Sequence, residues 1–259
     1  MRGRALDVGK HRRFWEVDAA RGVALLMMVL YHLVYDLDNF GGYAVASTFG
    51  FWAFFADLTG FLFIYLAGVS LALSHARAEA ADGPGTGADP FGRYLRRGAR
   101  IFGYGMLITA VFWGLGLGYV IFGVLHLIGV SVILAYPFRR LRYANLVVGF
   151  AVVVAGAYLQ AQNVSLGGAA GVLLAPLGVV PEGLFMPDYR PLLPWLGVVL
   201  LGLFFGNAAY LLWREKSPPS PAPRAAAPLA FLGRHTLLVY LVHQPVLIAA
   251  LWALGIVRF

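Results

Sequence analysis

The chain has no cysteine and few charged residues for its length. Of its 259 residues, 12% are charged and 60% are hydrophobic. The absence of cysteine excludes disulfide bonds, a thiolate nucleophile and a cysteine-based metal site. The shortage of charge excludes a soluble domain of this size, whose surface needs more polar residues than this composition supplies. We therefore expect an all-α, polytopic integral membrane protein.

The short motifs of many soluble enzymes are also missing. The sequence contains no HExxH, no GxSxG and no Walker loop, so nothing indicates a bound metal. The segment GLGLGY (114–119) joins two apolar runs rather than a strand and a helix, and we interpret it as a tight turn. The net charge of +8 does not indicate nucleic acid, because the basic residues lie between apolar runs, where they mark membrane topology.

Apolar runs long enough to cross a membrane occur seven times. About 20 apolar residues cross a hydrocarbon layer of roughly 30 Å. The runs cover about residues 15–35, 52–75, 99–117, 119–137, 144–161, 191–213 and 228–255. The stretch 164–185 is apolar but rich in glycine and proline, so we predict a re-entrant or interfacial segment there rather than an eighth span.

The distribution of basic residues predicts the orientation of these spans. With seven spans, every arginine and lysine cluster falls on one side: before the first span, in the loops at about 76–98 and 214–227, and at 139–142. The opposite loops hold mostly aspartate and glutamate. Because basic loops remain cytoplasmic, we predict a cytoplasmic N-terminus and a single transmembrane domain over 1–259.

Polar residues form a stripe on the first span. At about 100° per residue, Asp18, Arg21, His32 and Asp36 share an arc of roughly 60°. Ionisable groups in a span usually face a bundle interior or a wet cavity. The stripe therefore indicates a functional site, although an Asp18–Arg21 pair at the helix start and an interfacial His32 would explain the same residues.

Other spans carry isolated polar residues. Asp57 lies in an aromatic-rich part of the second span, His126 in the fourth, and His243 with Tyr240 in the last. Each histidine suits a hydrogen bond between helices. Together with His32, however, they are three histidines at compatible depths, which also suggests a shared polar cavity. Imidazole is suited to proton transfer because its neutral form predominates near pH 7.

Five motifs occur in an order that resembles a known family. They are VDAARGVALLMMVLYH, ADLTGFLFIYLAGVSLALS, GVLHLIGVS, PLLPWLGVVLLGLFFGN and FLGRHTLLVYLVHQPVL. Together they resemble heparan-α-glucosaminide N-acetyltransferase and its prokaryotic relatives. The resemblance implies acyl-CoA bound from the cytoplasm, an acceptor that approaches from the other side, and transfer within the helices.

The resemblance also has a departure at a functional position. Arg21–Gly22 matches the family's RG, and the functional Asn ten residues beyond that Gly is His32 here. Ala56–Asp57 matches the family's AD, but the position of the family's catalytic His, ten residues before that Asp, holds Ser47. The family's Gln in GVLQRLG corresponds to His126, and its late His corresponds to His243.

The resemblance implies an acyltransferase that moves an acyl group, with acetyl as the first candidate, to an amino-sugar or sugar-like acceptor. His32, oriented by Asp36 or Asp57, would be the base, while His126, His243 or Tyr240 would bind the acceptor or stabilise the oxyanion. Basic residues would bind the phosphates of acetyl-CoA, or simply mark topology. They are Arg21, Arg96, Arg97, Arg100 and Arg139, with Arg140 and Arg142 beside them.

A non-enzymatic membrane protein, either a small-solute transporter or a scaffold, is the alternative. A transporter favours inverted repeats and paired broken helices, and the sequence shows no repeat. We also predict a location in the prokaryotic inner membrane, and aromatic and small-residue faces that suit a homodimer.

Overall fold

The computed structural model describes residues 14–82, 90–116, 120–183, 186, 188–216 and 222–257. The side chains of 80–82, 142 and 212–216 are not described, and they include that of Arg142, a candidate for phosphate binding. The basic residues before the first span that precede position 14 also lie outside the described residues.

Of the described residues, 78% are helical and almost none lie in strands. In chain order the helices are α1 (Trp15–Asn39), α2 (Gly50–Asp82), α3 (Pro90–Gly114), α4 (Val124–Leu134), α5 (Arg142–Ala161), α6 (Gly168–Leu174), α7 (Leu192–Lys216), α8 (Ala227–Arg234) and α9 (Thr236–Ala253). Short 3₁₀ turns lie at Pro137–Arg140 and Ala175–Leu177. Two strands, β1 (Ser165–Leu166) and β2 (Val180–Pro181), pair in parallel.

Five of the described helices are long and apolar enough to cross a membrane. They are α1, Gly50–Glu79 of α2, Tyr143–Ala161 of α5, Leu192–Leu211 of α7, and α9. This confirms the predicted all-α membrane class, and each of the five coincides with a predicted span. The other two predicted spans fall on α3 and α4, and α4 has only 11 residues, about 16 Å at 1.5 Å per residue. The number seven stays a prediction.

Two predicted segments have a more detailed structure than expected. The last predicted span, 228–255, consists of two helices, because the backbone leaves helical geometry at His235 between α8 and α9. The described part of segment 164–185, which ends at residue 183, forms no long helix; it contains β1, the seven-residue α6, a 3₁₀ turn and β2.

The structure divides into two compact units. One comprises Met1–Thr59 and Leu211–Phe259, and in it α1 packs closely on α8. A Cβ atom at Gly22 would overlap the backbone carbonyl of Leu229, and one at Gly233 would overlap the carbonyl of Asp18. Both positions therefore need glycine, because the two helix backbones touch there.

The second unit comprises Gly60–Tyr210. Here α2 and α7 meet through glycine as well: Gly68 faces the carbonyl of Val199, and Gly202 faces that of Tyr65. Close backbone approach through small residues is common among membrane helices. A buried apolar cluster fills the unit around them, formed by Leu71, Ala72, Tyr94, Val132, Ala135, Leu200 and Leu203.

Candidate functional site

Two histidines meet in the first unit. The rings of His32 on α1 and His243 on α9 lie edge to face, with centroids 4.7 Å apart. His32 Nδ1 lies 2.8 Å from the carbonyl of Met28, and His243 Nδ1 lies 2.7 Å from that of Tyr240. Because a carbonyl oxygen only accepts, each Nδ1 carries the proton. Each neutral ring therefore keeps a lone pair on Nε2, the form that a general base requires.

A carboxylate and an amide lie beside the histidines. Gln244, next to His243 in α9, donates from Nε2 to Asp36 Oδ1 over 2.7 Å. Asp36 lies one helical turn beyond His32 and has no exposed surface. These four residues, His32, Asp36, His243 and Gln244, form what we call the α1–α9 cluster.

The α1–α9 cluster contains polar atoms that the protein leaves unsatisfied. Asp36 Oδ2, Gln244 Oε1 and His243 Nε2 are buried and have no hydrogen-bond partner among the described residues. Buried polar atoms are nearly always paired, because their loss of hydration is otherwise uncompensated. These unpaired atoms make the cluster a candidate binding site.

The two predicted carboxylates have different surroundings. The hydrogen bond that fixes the His32 ring goes to the backbone of Met28, while Asp36 is held by Gln244. Asp57 lies in the same unit, on an exposed part of α2. A role for either carboxylate in orienting His32 stays a prediction.

Ser47, at the position of the family's catalytic His, is hydrogen-bonded within the loop that carries it. Its hydroxyl donates to Asp38 Oδ2 over 2.6 Å, and its backbone N–H donates to the same oxygen over 2.7 Å. Asp38 also accepts from the N–H of Val45. Asp38 thus stabilises the loop between α1 and α2 through hydrogen bonds, and the Ser47 hydroxyl donates one of them.

His126 lies in the second unit and caps the start of α4. Its Nδ1 accepts from the Gly123 N–H over 3.2 Å, so Nε2 carries the proton, 3.5 Å from Thr109 Oγ1. A Cβ atom at Gly105 would lie 3.0 Å from the ring, and the Phe102 ring packs against it. This fully buried, paired histidine has the contacts of a helix cap, and its predicted role in acceptor binding stays a prediction.

The predicted phosphate-binding arginines are divided between the units. Arg21 pairs with Asp18 at 3.3 Å in the first unit. In the second unit, Arg96 and Arg100 on α3 are exposed and Arg97 is half-buried. Arg139 stacks on the Tyr136 ring at 3.8 Å and donates to the carbonyl of Tyr136. The exposed guanidinium groups of Arg96 and Arg100 are suited to phosphate binding.

Sequence analysis missed Gln244 and the carbonyl of Met28. Gln244 is polar within an apolar span and follows His243 directly, which is a usable signal. The carbonyl has no sequence signal beyond its position one turn before His32.

The fold and the α1–α9 cluster together describe a membrane protein with groups suited to moving protons within its helices. The family model for heparan-alpha-glucosaminide N-acetyltransferase, catalytic, matches residues 13–245. The chain belongs to this family of membrane acetyltransferases, as the five motifs predicted. No curated protein and no solved structure shows a significant match to the chain.

Proposed function

We propose that the protein transfers an acyl group, acetyl first of all, from cytoplasmic acyl-CoA to an amino-sugar or sugar-like acceptor on the outer side. The observation that supports this most directly is the α1–α9 cluster, which lies wholly within the residues matched by the family model. It joins two helices of membrane-spanning length and offers basic nitrogens beside a buried carboxylate.

His32 is the proposed general base. Its Nδ1–H is held by Met28, so Nε2 is free to take a proton. In the reaction the acceptor nitrogen or oxygen bonds to the acyl carbon and the carbon–sulfur bond breaks. The acceptor's proton passes to His32 Nε2 and from there to the departing sulfur. Proton transfer by a positioned side chain contributes roughly 10²–10⁴ to a rate.

His243 is the proposed acceptor-binding residue. With Nδ1 donating to Tyr240, its Nε2 accepts a hydrogen bond from an acceptor N–H or O–H. The half-buried Tyr240 ring has its centroid 5.8 Å from that of the His243 ring, so it extends the proposed acceptor-binding surface. A neutral His243 has no proton on Nε2 to offer an oxyanion, so acceptor binding is the better assignment.

Acyl-CoA, when bound, supplies an activated acyl group as a thioester. We propose that basic residues on the predicted cytoplasmic side attract its phosphates, with Arg96, Arg97, Arg100 and Arg139 as candidates in the second unit and Arg21 in the first. Exposure of Arg96 and Arg100 and the aromatic support of Arg139 fit this task. This assignment is independent of the identity of the base.

We further propose that the chain is a single transmembrane acyltransferase domain, that it resides in a prokaryotic inner membrane, and that it forms homodimers.

Segment 164–185 is proposed to lie at the outer membrane interface. Leu173 is 76% exposed, and Leu177 and Val180 are also exposed. Since α5 and α7 have the length and hydropathy of spans, their connection lies at a single membrane face, where exposed apolar side chains contact lipid.

Acetyl transfer by the purified full chain in detergent tests the proposal. Radiolabelled acetyl-CoA and glucosamine would be incubated with the wild type, with His32→Ala and with His235→Ala, whose histidine is exposed and lies outside the α1–α9 cluster. We expect transfer by the wild type and by His235→Ala, and a loss of about 10²-fold or more in His32→Ala. Solute transport without acetyl-CoA consumption would favour a transporter instead.

A further inference from the structure

Helix α9 carries His243 and Gln244 but has few contacts that fix its position. Among its residues, all of which the structure describes, only His243 and Leu251 are buried. It contains no glycine, whereas α8 packs on α1 through the close backbone contacts at Gly22 and Gly233. Interhelical hydrogen bonds therefore matter more for the placement of α9, because lipid leaves little hydrophobic force between helices.

The backbone of α9 is interrupted on both sides of His243 and Gln244. Before them, His235 leaves helical geometry between α8 and α9. After them comes Pro245, which has no N–H to donate to the carbonyl of Leu241 one turn earlier. Sharp bends in helices occur at such points. The close packing of α8 on α1 therefore does not by itself fix the position of His243.

One hydrogen bond joins this part of α9 to α1. Gln244 Nε2 donates to Asp36 Oδ1 over 2.7 Å, and Asp36 lies one helical turn beyond His32. Asp36 has no exposed surface, and a hydrogen bond to a carboxylate is strong away from bulk water. Because His243 directly precedes Gln244, the bond restricts both the rotation of α9 and its height along α1. With the bond in place, the ring centroids of His32 and His243 are 4.7 Å apart.

We propose that Asp36 and Gln244 are positioning residues, whose hydrogen bond holds His243 opposite His32 for binding of the acceptor. The inference rests on the proposed function in giving His243 the acceptor; the placement of α9 by this bond does not depend on it. Neither positioning residue has to touch the acceptor. Misplacement of a functional group by about 1 Å costs up to about 10²-fold in rate, so a single bond that fixes a weakly held helix affects the reaction strongly.

The kinetic constants of the detergent-purified full chain separate positioning from stability. Gln244→Leu removes the bond, and Gln160→Leu makes the same change at an exposed position of α5. At a temperature where all variants are folded, we expect Gln244→Leu to raise the KM for glucosamine about tenfold and to leave the KM for acetyl-CoA within about twofold. Gln160→Leu should change neither. A merely unstable variant has fewer active molecules, which lowers the apparent kcat and leaves both KM values unchanged, and that result would overturn the proposal.

An exchanged pair tests the bond rather than either side chain. Gln244→Glu alone places two carboxyl groups together and should behave as Gln244→Leu does. Adding Asp36→Asn moves the carboxylate to α9 and the amide donor to α1, with no further change in charge. The double variant should return the KM for glucosamine to within about threefold of the wild type. A double variant as impaired as Gln244→Glu alone would overturn the proposal.

The position of α9 can also be measured without catalysis. Because the chain has no cysteine, Leu26→Cys on α1 and Val246→Cys on α9, both at exposed positions, accept spin labels at two defined sites. Pulsed electron paramagnetic resonance should give a narrow distance distribution for the labelled chain with and without Gln160→Leu, and a broader or shifted one with Gln244→Leu. An unchanged distribution in Gln244→Leu would overturn the proposal. A broadened one, together with no transfer to glucosamine by any variant, would refute the proposed function and uphold the placement of α9 by the bond.

Discussion

Gln244 donates a hydrogen bond to Asp36 over 2.7 Å, although 208 positions separate the two residues in the chain. One turn earlier on α1, His32 meets the residue that precedes Gln244 on α9. Two neighbouring contacts therefore join the first and last membrane-length helices of the described chain. Each contact involves polar groups in an apolar setting, where an unmatched group is costly.

Replacing Gln244 by leucine should destabilise the protein. The change removes the donor to a buried carboxylate, and a hydrogen bond to a charged group is worth about 1.5–3 kcal/mol. Thermal unfolding in detergent would measure the loss. Gln160→Leu makes the same chemical change at an exposed position of α5, and it should alter the unfolding free energy by less than about 0.5 kcal/mol. Equal stability of the two variants would contradict the importance of the Asp36–Gln244 bond.

Alanine at Gly22 should disturb the contact between α1 and α8. Its Cβ would overlap the carbonyl of Leu229, and overpacking of this kind costs about 1–3 kcal/mol. Gly103→Ala is the matched control, because a Cβ atom there meets nothing within 4 Å. Alanine is the better helix former by up to about 1 kcal/mol, so the control should melt at the same temperature or higher. A Gly22→Ala variant as stable as the control would show that the helices are further apart than the structure has them.

Ser47→Ala should reduce stability and leave acetyl transfer largely intact. The change removes one short hydrogen bond to Asp38, which is stronger than a neutral one because the partner is charged. Both unfolding and the turnover rate would be measured at a temperature where the variant is folded. A rate loss as large as that of His32→Ala would instead give Ser47 a part in the chemistry.

Part of this account was predictable from sequence, and the reasons are physical. Helical periodicity placed His32 and Asp36 on one face of α1, and both residues do contact α9. Periodicity within α1 does not identify the residue of a distant helix that faces Asp36. The structure was therefore needed to identify Gln244 as its partner. The same limit applies to His126, whose capping contacts depend on the approach of Gly105 from α3.

The break between α8 and α9 shows another limit. The run 228–255 is apolar enough for one span, although Arg234 and His235 lie side by side within it. Arg234 ends α8, and His235 adopts non-helical backbone angles before Thr236 begins α9. Hydropathy records how apolar a segment is, whereas the position of a backbone break depends on packing.

Leu173 should report a lipid environment. Because the chain has no cysteine, Leu173→Cys can be labelled at a single site with an environment-sensitive fluorophore in liposomes. The partly buried Tyr189 hydroxyl donates to the carbonyl of Ala175 over 2.7 Å and tethers this segment. Burial raises the pKa of Tyr189 to about 12, so the hydroxyl remains a donor at neutral pH. We expect blue-shifted emission that lipid-soluble quenchers reduce.

Arg224→Cys is the control for this labelling, because Arg224 is exposed in the predicted cytoplasmic loop. Its fluorophore should emit as in water and respond to aqueous quenchers. Identical spectra at the two positions would contradict an interfacial location for segment 164–185.

The central claim is transfer across the membrane with His32 as the base. Proteoliposomes that carry the full chain with its predicted cytoplasmic face inward, loaded with radiolabelled acetyl-CoA and supplied with external glucosamine, test it most directly. We predict labelled N-acetylglucosamine outside the vesicles for the wild type, with a rate about 10²-fold or more lower for His32→Ala. Equal product formation by the wild type and His32→Ala, or no product from either, would contradict the claim.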